Sequence, residues 1–257
     1  MSERLDYIRI EPKRILDLGC GPGSDLAAFA VRYPGTPRIA IDNAPAMLAQ
    51  ARGERGLLKR LMNFGKPAEP DFACADATAL PLARGSVSLA WSNLMLQWLH
   101  DPLPALKEIN RVLEVGGLLM FSTLGPDTLK ELRAALPASK SEHLHRFIDM
   151  HDLGDALVGA GFSDPVMDME MLTVTYAKLD DLFHDLRTSG SANAAVSRPR
   201  GLVGKGHWQH LRAAYEALRR DGRLPATVEV VYGHAWKAAS KVTDDGRAII
   251  RFERKPG

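Results

Sequence analysis

Cysteine is nearly absent: only Cys20 and Cys74 occur in 257 residues, and no CxxC spacing is present. A cysteine-based zinc or redox motif is therefore excluded, and both thiols read as buried small residues, Cys20 in a turn and Cys74 on a central strand. Charge of one sign is missing as well, since 33 basic and 31 acidic side chains leave a net charge of +2. Nucleic-acid binders carry a marked basic excess, so that partner is not expected. No apolar run approaches the length of a membrane span, and Met1-Ser2-Glu3-Arg4-Leu5-Asp6 has no apolar signal core. The expected compartment is the cytoplasm, with no membrane partner. What remains, 46% hydrophobic and 25% charged, is the composition of an ordinary globular protein. The length suits one α/β domain with a substantial insertion.

The most informative stretch is Ile15-Leu16-Asp17-Leu18-Gly19-Cys20-Gly21-Pro22-Gly23. It reads as a buried strand running into a glycine-rich turn, after which Ser24-Asp25 opens an apolar helix through Leu26, Phe29, Ala30 and Tyr33. Glycines at 19, 21 and 23 permit backbone angles that a β-carbon forbids, and they bare the main chain to a ligand at the helix N-terminus. A second apolar run, Arg38-Ile39-Ala40-Ile41, ends in Asp42, an acid placed to accept hydrogen bonds from paired ribose hydroxyls. Up to this point a nicotinamide dinucleotide and S-adenosylmethionine (SAM) fit equally well. Three later features favour SAM. The strand Phe72–Ala75 ends in Asp76-Ala77, a carboxylate and an amide suited to an adenine edge. The strand Val87–Trp91 ends in Ser92-Asn93 and a helix. Arg111–Val115 with the pair Gly116-Gly117 turns the chain from a helix into the strand Leu118–Phe121.

Helices are expected over Ala46–Arg52, prolonged through Leu57, Leu58, Leu61 and Met62, and from Leu94 to Leu99, interrupted by Pro102 and Pro104 and resumed over Ala105–Arg111. Gly125-Pro126-Asp127 caps a helix carrying Leu129, Leu132 and Leu136, and Asp152–Ala160 is another, closed by Gly161. Met167–Tyr176 alternates like a strand, Leu179–Pro225 is helical, and Thr227–Trp236 is the last strand. The expectation is one Rossmann-like α/β domain with a mostly parallel seven-stranded sheet, an antiparallel last strand, and a helical insertion between the last two strands. Residues 1–136 would form the SAM-binding half, 137–238 the substrate half with the insertion at about 179–225, and 239–257 a tail.

This order of strands and motifs resembles a class I methyltransferase. Ser92-Asn93-Leu94-Met95-Leu96-Gln97-Trp98, Phe121–Leu129, the connector His145-Arg146-Phe147 and Tyr232-Gly233-His234-Ala235-Trp236 narrow the resemblance to the malonyl-acyl carrier protein O-methyltransferases of biotin synthesis. The resemblance implies SAM as cofactor and, as substrate, an acyl carrier protein bearing a malonyl group. Cofactor contacts are expected from Asp17, Gly19, Cys20, Gly21, Gly23, Asp42, Asn43, Met47, Asp76, Ala77 and Asn93. Substrate contacts are expected from Arg146, whose guanidinium can grip a carboxylate, and from Asn93, Gln97, Trp98 and His234. No catalytic base is expected, because a carboxylate with a pKa near ~4 is already ionised at neutral pH. Members of the family begin with a helical segment, bearing an aromatic residue, that closes over the cofactor. Here Met1 falls a few residues before the first strand, and Tyr7 is not expected to replace that lid.

The histidines at 143, 145 and 151 lack the spacing of a metal site, and no metal is expected. In the insertion, Arg187, Arg198, Arg200, Lys205, Arg212, Arg219, Arg220 and Arg223 outnumber the acids, a patch to which an acidic carrier protein would be steered. Two competing functions remain: a methyltransferase-like protein arginine hydroxylase, which would need a metal set, and a non-catalytic SAM-binding assembly factor of respiratory complexes.

Overall fold

The structure, a computed structural model, describes residues 1–53, 69–136, 147–188 and 205–239. Its centre is β1 (Ile15–Leu18), four residues buried on both faces as a central parallel strand requires. β2 (Arg38–Asp42), β3 (Asp71–Cys74), β4 (Val87–Asn93), β5 (Leu113–Leu124), β6 (Phe162–Tyr176) and β7 (Leu224–Lys237) complete one sheet in the order β3-β2-β1-β4-β5-β7-β6. β1 to β5 pair in parallel, and β7 runs antiparallel between β5 and β6. The expected seven strands and antiparallel last strand are present. The first two helices, α1 (Leu26–Arg32) and α2 (Pro45–Arg52), follow β1 and β2, and α3 (Leu103–Val112) precedes β5. α4 (Lys130–Ala135), α5 (Met150–Gly159), α6 (Leu179–Thr188) and α7 (Lys205–Glu216) complete the described helices, the last two lying in sequence between β6 and β7.

Alternation along the strands sorts the core into two layers. Leu16 and Leu18 join Leu106, Ile109, Leu119, Phe121, Leu153 and Leu157 on the side of α3 and α5. Ile15 faces the other way, with Phe29, Leu89, Trp91, Leu118 and Met120. Phe29 meets Trp91 edge-on at 5.1 Å, a pairing worth roughly 0.5–1.5 kcal/mol beyond its buried area. Asp17 shares the face of Ile15, which places a carboxyl in this apolar layer. The insertion has its own small core, in which Leu182, Leu211 and Tyr215 pack against Leu132 and Leu224.

Several expectations are corrected. Cys74 is exposed, because β3 lies at the sheet edge and is covered on fewer sides; Cys20 is buried as expected. No helix starts at Leu94, whose φ of 52° breaks the backbone; only a 3-10 turn, Leu96–Trp98, forms before α3. Gly116-Gly117 does not precede β5 but interrupts it: pairing with β4 jumps from Val87↔Leu113 to Leu89↔Leu118, so the glycines form a bulge inside a longer strand. Ahead of β1, Ser2–Tyr7 is a 3-10 helix that buries Leu5. The expected extension of α2 beyond Arg52 lies outside the described residues.

Candidate active site

Sheet order reverses between β1 and β4, and the carboxyl ends of β1, β2 and β4 open there into one crevice, the usual ligand position of open α/β sheets. The glycine turn enters it with φ of 73°, 51° and 81° at Gly19, Gly21 and Gly23. These positions have different tasks. A β-carbon at Gly19 would overlap the Met95 side chain, and one at Gly23 would press on Leu26 and Ala51, whereas Gly21 faces open space. Gly19 and Gly23 therefore let the turn pack, and Gly21 leaves main chain bare.

Three carboxylates surround this turn. Asp42 accepts the Gly21 N–H at 2.9 Å through Oδ2 and the Ala44 N–H at 2.8 Å through Oδ1. Each oxygen keeps a further lone pair, which suits it to hydroxyl donors. Asp17 is only 3% exposed, and its Oδ2 finds no hydrogen-bond partner among the described residues. Burial, then the charges of Asp25 and Asp42, push its pKa up to about 7. Asp25 precedes α1 but does not cap it with its side chain. Its Oδ2 instead accepts the Trp91 Nε1–H at 2.8 Å and the Asn93 Nδ2–H at 3.1 Å. The Asn93 Oδ1 accepts the Ser122 hydroxyl at 2.6 Å, so one chain of hydrogen bonds crosses from α1 to β5. A buried carboxyl with one orphan oxygen beside two more acids is stabilised in its charged form by a nearby cation.

The remaining residues expected at the site are placed as follows. Asp76 uses Oδ1 for the Thr78 N–H and hydroxyl, at 2.8 and 2.7 Å, which holds its carboxyl below the usual range. Ala77 is buried beside it, and Asn43 and Met47 are exposed after β2. Burial raises the Cys20 thiol to about 12, so it stays protonated. Gln97 is buried, donates to the Leu94 carbonyl at 2.6 Å and accepts from the Thr123 hydroxyl, while Trp98 is 46% exposed. His234 is half-buried, and burial lowers its pKa. Arg146 lies outside the described residues, as do His143 and His145. Among the described residues no group of three or more His, Cys, Asp or Glu is placed to hold a metal ion.

Two further groups were not anticipated. Asp25 is expected only at the opening of α1, and nothing local in the sequence signals its bonds to Trp91 and Asn93. Glu229 is buried under the β5–α4 loop, accepting the Asp127 N–H at 2.7 Å, with Gly125 so close that any β-carbon there would overlap its carboxyl. Nothing in the spacing of Glu229 signals this, because the contact spans about a hundred residues.

A methyltransferase domain family matches residues 16–121, the segment from β1 to β5. Malonyl-[acyl-carrier protein] O-methyltransferase from Laribacter hongkongensis is 50% identical over 259 residues, covering 98% of this chain and 86% of its own. The protein of that name from Gallionella capsiferriformans is 50% identical over 256 residues, covering 99% and 87%. This chain belongs to the malonyl-acyl carrier protein O-methyltransferases. Solved structures agree on the fold of this methyltransferase. The YcgJ protein of Bacillus subtilis superposes with a TM-score of 0.64 at 14% identity, over 93% of this chain and 98% of its own. Phosphoethanolamine N-methyltransferase 2 of Haemonchus contortus, solved with SAM, gives 0.54 at 16% identity, over 93% and 52%.

Proposed function

We propose that this methyltransferase esterifies the free carboxylate of malonyl-acyl carrier protein, using SAM as methyl donor. The observation that carries the reading is identity of up to 50% with malonyl-acyl carrier protein O-methyltransferases along 98–99% of the chain. The donor set fits the cofactor. Asp17, Asp25 and Asp42 gather negative charge at the glycine turn, Asp42 has lone pairs for ribose hydroxyls, and the Asp76 carboxylate with the Ala77 amide suits an adenine edge. Met47 and Asn43 would cover that side. When bound, SAM supplies a methyl on a sulfonium, which passes to a carboxylate oxygen as the carbon–sulfur bond breaks and a neutral thioether leaves.

The protein's part is then positioning and exclusion of water, since the nucleophile needs no deprotonation. Asn93 is fixed by Asp25 and Ser122 at the end of β4, where it can orient either reactant. Trp98 would wall the pocket and His234, neutral through burial, would face the acyl arm. Gln97 would act from beneath by holding the Leu94 turn. Arg146 would be a further contact to the substrate, from the connector His145-Arg146-Phe147. Residues 1–136 would serve the cofactor and 137–238 the substrate, with the cytoplasm as compartment. Docking of the acidic carrier would use the insertion, where Arg187 and Arg220 supply charge while Arg212 pairs with Asp180 and Arg219 with Glu216. The test is transfer of a labelled methyl group from SAM. Malonyl-loaded carrier protein should become labelled and acetyl-loaded carrier should not; equal labelling of both, or of neither, would contradict the reading.

A further inference from the structure

The 3-10 helix Ser2–Tyr7 is anchored by Leu5, 2% exposed in the cluster of Trp91 and Met120. From it Arg4 reaches across the sheet. Its guanidinium carbon lies 4.1 Å from the centre of the Tyr232 ring, and its Nη1 lies 2.6 Å from Asp168 Oδ2. Both partners follow from strand register, because Asn93, Ser122, Tyr232 and Asp168 form one row across β4, β5, β7 and β6. Tyr232 is thus two strands, roughly 10 Å, from Asn93.

Arg4 lines a cavity of about 560 Å³ together with Tyr7, Asp168, Glu170, Tyr232 and His234. A second cavity, of about 250 Å³, is lined by Asp25, Asn93 and Ser122 and shares Met1 and Tyr232 with the first. The larger cavity therefore adjoins the cofactor crevice across Tyr232. Glu3, Asp168 and Glu170 make its lining acidic, and His234 is kept neutral by burial. An anionic ligand entering it needs a cation, and Arg4 offers one. The pair is open to solvent, with side chains 35% and 57% exposed. Such a pair is weakly held and screened by salt. The ring of Tyr232 would keep the guanidinium in place if its counter-ion left.

We infer that Arg4 recognises the free carboxylate of the substrate, which displaces Asp168 as its partner, so that Arg4 distinguishes malonyl from uncharged acyl arms. The inference rests on the malonyl reading above and names a residue for it on the β7 side of the crevice. An arginine that binds one carboxylate oxygen leaves the other free to attack.

The test is calorimetric binding of malonyl-pantetheine and acetyl-pantetheine in the presence of S-adenosylhomocysteine. The wild type should prefer the malonyl arm. Arg4→Gln should reduce that preference about tenfold or more, with S-adenosylhomocysteine affinity unchanged, and Arg4→Lys should keep part of it. Asp168→Asn leaves Arg4 in place and frees it, so malonyl binding should tighten while acetyl binding does not move. That variant decides the matter if Arg4→Gln loosens the 3-10 helix and weakens both arms together. An unchanged preference in Arg4→Gln, or weaker malonyl binding in Asp168→Asn, would overturn the inference while wild-type methylation of malonyl carrier leaves the proposed function standing. A wild type that neither prefers the malonyl arm nor methylates malonyl carrier would overturn both.

Discussion

Burial of Asp17 should make stability depend on pH. Its folded pKa of about 7 lies above the ordinary 3.8, so between those values the folded protein binds more protons than the unfolded chain. Stability should therefore fall as pH rises through that window in the ligand-free protein, and the cost should persist above it. Asp17→Asn should flatten this slope in denaturant titrations; a slope that persists would place its origin elsewhere. A cation held beside Asp17 favours the charged carboxylate, so SAM affinity should increase as pH approaches about 7, again with a flat profile in Asp17→Asn. The glycines separate by what surrounds them. Gly21→Ala meets only its φ of 51°, a cost of about 1–2 kcal/mol, and should fold yet bind SAM more weakly. Gly19→Ala adds overlap with Met95 and should lose more stability, as the two midpoints in denaturant would show. Asp17, Asp42 and the glycines are legible in the sequence because chain order puts them next to strand ends. Asp25 and Glu229 are not, since their partners are distant in sequence and a local role as cap or strand residue explains them equally well.

Elements with strong periodicity were legible: β1, β2, β4, β7 and the helix over Asp152–Ala160 all appear within a few residues of expectation. The failures sit where tertiary contact overrides local pattern. Leu94–Trp98 has helical spacing, but the Leu94 N–H is held by the Ser122 carbonyl and hydroxyl, which turns the backbone out of the helix. β5 begins five residues early because β4 offers Val87 as a partner for Leu113. β7 packs tightly at Gly233. A β-carbon at Gly233 would overlap the Phe121 ring and the Met167 sulfur across β5 and β6. Gly233→Ala should destabilise by about 1–3 kcal/mol, seen as a lower urea midpoint at unchanged slope.

At the scale of the whole molecule, one sheet would carry both proposed sites side by side. The crevice between β1 and β4 is acidic and suits a cationic cofactor, while the neighbouring cavity over β7 and β6 has an arginine to offer an anion. No helix among the described residues is long and apolar enough to cross a membrane. If the insertion docks the carrier, its charge should act at longer range. Turnover of carrier-bound malonyl should fall steeply with salt, while turnover of a malonyl-pantetheine of the same chemistry should fall much less. Equal salt dependence would remove the insertion as docking surface. The central claim is tested most directly by the intact mass of malonyl-acyl carrier protein after incubation with this chain and SAM. A gain of one methylene equivalent, lost when acetyl replaces malonyl, is the expected result. An unchanged mass of the malonyl carrier, with SAM bound and the protein folded, would contradict it.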